Sequence, residues 1–114
     1  MDFGKLYEII YKIYDECDIV AFPIDCFDII RRYRYHIVKY SELTPKKRDA
    51  CRQLSEDACL IKDTLYYDEN AHPRRIQFSI AHELGHKFLG TESEDNADCF
   101  ASHFFSTPYF DSPI

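Results

Sequence analysis

Arg75-Ile76-Gln77-Phe78-Ser79-Ile80-Ala81-His82-Glu83-Leu84-Gly85-His86 ends in the pattern H-E-x-x-H, and the remaining segments of this 114-residue chain take their meaning from it. On an α-helix, residues four apart lie one above the other. His82 and His86 therefore offer imidazole nitrogens to one metal ion, while Glu83 stands about 100° round the axis beside them. Zinc suits such a pair: it lowers the pKa of a water it holds to about 7, and a neighbouring carboxylate can take that proton. Apolar residues flank the histidines, which predicts a helix at the floor of a site rather than one lying on the surface. Gly85 costs roughly 1 kcal/mol against Ala inside a helix, so close approach of another element to that face explains it best.

Pro73 follows the polar stretch 68–72 and allows the motif helix to start just beyond it. Gly90 can take the left-handed conformation of a C-terminal cap, and there the helix should end. Thr91-Glu92-Ser93-Glu94 has capping-box spacing, with Glu94 as the partner of the cap. A last helix then carries Ala97, Phe100, Ala101, Phe104 and Phe105 as its buried stripe until Pro108 stops it. Upstream, Ala58-Cys59-Leu60-Ile61 and Thr64-Leu65-Tyr66-Tyr67 read as two strands joined by a tight turn at Lys62-Asp63. Residues 35–40 read as another strand, and Thr44-Pro45 opens a short polar helical stretch through residue 53. Apolar residues at three- and four-residue intervals predict a first helix over residues 3–17. A second is expected from Pro23 to about residue 33. The fold class is α+β: two N-terminal helices, a small three-stranded, mainly antiparallel sheet, then the H-E-x-x-H helix and a C-terminal helix, in one domain over 1–114.

Composition narrows the function. The formal net charge is −6, and the basic runs Arg31-Arg32-Tyr33-Arg34 and Lys46-Lys47-Arg48 read as solvated faces of helix ends rather than a nucleic-acid footprint. Five cysteines, Cys17, Cys26, Cys51, Cys59 and Cys99, share no C-x-x-C spacing and sit in apolar stretches, so they read as reduced core residues. No apolar run approaches the ~20 residues of a membrane span and no signal-peptide layout is present, so a cytoplasmic protein is expected.

With both site helices in hand, the chain resembles the ImmA/IrrE family of zinc metallopeptidases. Arg75 to His86 carries the likeness, with Ala97-Asp98-Cys99-Phe100-Ala101-Ser102 and the order helices, small sheet, site helices. The resemblance implies a zincin-like fold, a Zn²⁺ cofactor and a protein substrate; characterised members cleave helix-turn-helix repressors and are often encoded with mobile elements or stress systems. In the family the last motif usually begins Glu-Ala-x-x-Phe-Ala, and that Glu completes the zinc site. The matching position here is Asn96, a neutral oxygen ligand inferior to carboxylate. Helical geometry puts Glu92, Asn96, Cys99 and His103 within about 60° of one another, and makes Glu92 the alternative third ligand. Glu94 and Asp98 fall on the opposite edge.

Two functions are open at this point. The favoured one is a zinc-dependent endopeptidase in which His82 and His86 hold the metal, Asn96 or Glu92 completes the site and Glu83 is the general base. The other is a catalytically weak or inactive peptidase-like module that holds a partner protein. Asn96 motivates it, and Glu83 argues against it, since a pure binder needs no base.

Overall fold

The structure, a computed structural model, describes residues 1–106. Helix α1 (Phe3–Glu16) is capped by Asp2, whose carboxylate accepts from the Lys5 N–H, and it buries Leu6, Ile10, Ile13 and Tyr14 on one face. Helix α2 spans Cys26–Arg32. It starts later than Pro23 because Asp25 is the stronger cap, its carboxylate accepting from the Phe27 N–H at 3.0 Å. Strand β1 (His36–Lys39) runs into a short 3₁₀ turn and then α3 (Pro45–Leu54), with Thr44 as cap and Pro45 in the first turn. Strands β2 (Ala58–Ile61) and β3 (Thr64–Tyr67) form the expected hairpin, with Lys62 in the left-handed region at φ 54°.

The sheet order is β1-β3-β2. β2 pairs antiparallel with β3, but β1 pairs parallel with it, so the sheet is evenly mixed rather than mainly antiparallel. The connection explains this. From β1 the chain crosses through α3 to the far edge before the hairpin returns β3 to the centre, and only a long crossover of that kind can join parallel neighbours. Its consequence for function is that β2 becomes the edge strand, and it lies beside the motif helix.

Helix α4 (Pro73–Leu89) carries the motif. His72 caps it through Nδ1, which accepts from the Arg74 N–H, and Gly90 ends it in the left-handed conformation at φ 63°. The chain reverses at once, since the N–H groups of Gly90 and Thr91 both donate to the His86 carbonyl. Helix α5 (Glu94–Phe104) then packs back along α4. Ser93 is its cap, accepting from the Asn96 N–H at 3.2 Å, so the helix is capped two residues after Thr91, where the capping box was expected. The stop at Pro108 lies outside the described residues.

Ile76, Ile80, Ala81 and Leu84 of α4 meet Phe100, Ala101 and Phe104 of α5 and the apolar face of α1 in one core. Gly85 lies against Phe100, where an added Cβ would come within 3.0 Å of the ring. Phe100 is fully buried and has nowhere to move. Gly85→Ala is therefore expected to lose stability although it gains helix propensity, by a net of about 1 kcal/mol, which thermal denaturation would register as a fall of roughly 4–8 °C. All five cysteines are unpaired thiols; four are buried and Cys99 is half-buried. Among the described residues no helix is long and apolar enough to cross a membrane.

Candidate metal centre

His82 and His86 stand one turn apart on α4, and the short reversal through Gly90 brings the start of α5 directly opposite them. Their Nε2 atoms are 3.0 Å apart. Glu94, the first residue of α5, places one carboxylate oxygen 2.9 Å from His82 Nε2 and the other 3.0 Å from His86 Nε2. The outer nitrogens are engaged as well. His82 Nδ1 lies 2.7 Å from the Asp98 carboxylate, and His86 Nδ1 lies 2.8 Å from the Thr91 carbonyl. A carbonyl only accepts, so His86 Nδ1 carries the hydrogen and donates it, and the Asp98 carboxylate selects the same tautomer at His82.

The chemistry of this donor set fits a cation. With both Nδ1 hydrogens committed outward, two imidazole lone pairs and a carboxylate face one point, acceptors that repel one another unless positive charge lies between them. Four-coordinate zinc at ~2.0–2.1 Å holds its ligand atoms about 3.3 Å apart, close to the separations here. Among the described residues, His82, His86 and Glu94 form the group of acidic, thiol and imidazole side chains able to share an ion, their ligand atoms within 4.8 Å of one another. Asp98 and the Thr91 carbonyl stand where outer partners of metal-bound imidazoles stand, fixing ring orientation and raising basicity.

Glu83 points from the side of α4 toward the sheet. Its carboxylate accepts from the Leu60 N–H on the exposed edge of β2 at 3.4 Å. Burial pushes its carboxyl above the usual range, against the lowering effect of that N–H and of the two histidines. It borders the same open hollow as the histidines, about 480 Å³ between β2 and the site helices. Cys59 lines that hollow too, but burial drives its thiol up to about 12, so it stays protonated and inert.

Asn96 and Glu92, named for the third position, and Cys99 and His103 on the same edge sit elsewhere. Glu92 is exposed in the link before α5, and Asn96 is half-buried two residues after Glu94; neither is on the wall of the hollow. His103 turns to α1, its Nδ1 2.6 Å from the Tyr7 hydroxyl, and Cys99 packs on the core. Glu94 and Asp98 do share one edge of α5, as the helical pattern indicates, but that edge faces the histidines. The signal for Glu94 was Ser93: a serine cap there frees the next residue from capping and sets it at the helix mouth.

Comparison with known proteins matches residues 34–107 to the peptidase M78 model, described as an IrrE N-terminal-like domain. The chain belongs to the ImmA/IrrE peptidase family. The ImmA/IrrE match runs from just before β1 through α5 and so takes in the sheet, the H-E-x-x-H helix and Glu94, whereas α1 and α2 precede it. No curated protein and no solved structure matches the chain significantly. Gln77, inside the matched region, ties α4 to the part that precedes it: its carbonyl accepts from the Cys26 N–H at 2.7 Å and its amide donates to Asp25 at 3.0 Å.

Proposed function

We propose that this protein is a zinc-dependent endopeptidase acting on a protein substrate, with His82, His86 and Glu94 as the metal-holding set and Glu83 as general base. The observation that carries this reading is the meeting of both Nε2 atoms and the Glu94 carboxylate at one point beside Glu83. Bound zinc would supply Lewis acidity toward the scissile carbonyl and toward water. The rest is done by the chain. Glu83 takes a proton and later passes it to the leaving amine; the Leu60 N–H holds its carboxylate toward the strand edge. Asp98 and the Thr91 carbonyl keep both rings in the tautomer that presents Nε2. An extended substrate segment would add to the edge of β2 by main-chain hydrogen bonds and so lie across Glu83.

A carboxylate at Glu94 removes the motive for the competing reading, the inactive binding module, which rested on the neutral side chain of Asn96. The family suggests a helix-turn-helix repressor of a mobile-element or stress system as the first substrate to test, in the cytoplasm and without direct nucleic-acid binding by this acidic chain. Elemental analysis of protein purified without added zinc is the primary experiment. Near-stoichiometric zinc is expected, and a chelator should lower the melting temperature, because an ion bound only by the folded state stabilises it. A metal-free protein whose melting point ignores added zinc would sink the reading.

A further inference from the structure

A second hollow adjoins the metal centre. Phe78 lies one turn before His82 on the same face of α4 and lines both. Beyond it is a largely apolar groove of about 450 Å³, walled by Phe22, Pro23, Ile24, Pro73 and Phe105. Its floor is fixed, because Gln77 on its wall is held by Asp25 and the Cys26 N–H. Large apolar side chains exposed among the described residues are Met1, Phe3, Val20, Phe22, Leu54, Ile61 and Phe78. Phe22 at 43 %, Leu54 at 66 %, Ile61 at 40 % and Phe78 at 37 % exposure all border one or other of these two hollows. Single exposed apolar residues need no explanation, but a cluster round a cleft marks a surface that meets a partner.

The charge at this surface says what kind of partner. Arg74 is the charged residue on the groove wall. Its neighbour Arg75 is paired with Asp57 at 3.2 Å, whereas the Arg74 side chain makes no ion pair or hydrogen bond among the described residues. We propose that the groove is a specificity subsite for a bulky apolar side chain of an extended polypeptide, adjoining a carboxylate that Arg74 receives. Phe78 is the partition between this subsite and the reacting bond. The subsite rests on the peptidase reading for its purpose: the hollow that β2 and Glu83 line meets the groove at Phe78, so a segment bound in the first can reach into the second. Burying one large apolar side chain selects strongly, and an exposed arginine adds a weaker preference for the residue beside it.

The test is a binding experiment, so it does not depend on turnover. Full-length Glu83→Gln protein loaded with zinc is immobilised and offered a pool of fully randomised peptides of about ten residues, long enough to cover a strand edge, and the retained peptides are sequenced by mass spectrometry. Expected is at least about tenfold enrichment of Phe, Tyr, Leu, Ile or Met at one position, with Asp or Glu enriched beside it. Arg74→Glu should turn the second preference to Lys or Arg and keep the first; Phe78→Asp should abolish the first with zinc retained. No enrichment, or enrichment that neither substitution alters, overturns the subsite. A concentration-dependent dimer in sedimentation that Phe78→Asp dissolves would also overturn it, by assigning the groove to a second copy of the chain. If the pattern is found but the zinc-loaded wild type cuts none of the selected peptides, the peptidase reading fails and the subsite stands.

Discussion

Glu83→Gln is expected to cut the rate of peptide cleavage by about 10²–10⁴-fold while zinc content stays at the wild-type level. The amide has the shape of the carboxylate, and its oxygen still accepts from the Leu60 N–H that holds Glu83 at the edge of β2. What it loses is the ability to take a proton. Single-turnover cleavage of a defined peptide pool, read by mass spectrometry beside elemental analysis, separates the two quantities. Wild-type rates in the variant would remove Glu83 from the role of base. Loss of zinc with loss of rate would instead make it part of the metal site.

The second large effect falls on Glu94. Glu94→Ala should weaken zinc by more than the ~10–100-fold that loss of an outer partner costs, and Asp98→Asn should weaken it by about that smaller amount. Asn96→Ala and Glu92→Gln should leave the affinity unchanged, because neither side chain borders the hollow that holds the histidines. Competition against a chromophoric chelator measures all four. If Asn96→Ala releases zinc and Glu94→Ala does not, the third ligand is the amide and the assignment to Glu94 is wrong.

Much of this arrangement was legible in the residues themselves. The motif helix, its Gly90 cap and the Lys62-Asp63 turn follow from local rules, because each depends on neighbours in sequence, and the helix-propensity cost of Gly85 was enough to signal the approach of another element, which is Phe100. The parallel pairing of β1 was not legible. It depends on where the crossover through α3 delivers the chain, and alternation of side chains along a strand says nothing about direction. The place of Glu94 beside the two histidines was not legible for a related reason. A helical wheel begun at Thr91 assumes unbroken helix from that residue, whereas the last helix is capped at Ser93. With the helix starting at Glu94 and only four residues between α4 and α5, the first turn of α5 faces the histidines and the family's usual position has passed beyond them.

That short reversal has a consequence for how the candidate site comes together. All three groups assigned to the metal lie between residues 82 and 94, on a helical hairpin closed by a four-residue link, so little loop-closure entropy opposes their meeting. The contact that holds Glu83 is of another order: Leu60 is 23 residues before it and stands in a strand that the sheet holds in place. Under the proposed function, ion capture is thus a short-range event and alignment of Glu83 a long-range one. On the proposed reading, a lesion that loosens the sheet, at Leu65 for example, would yield a protein that still takes up zinc but has lost the strand edge against which Glu83 is set.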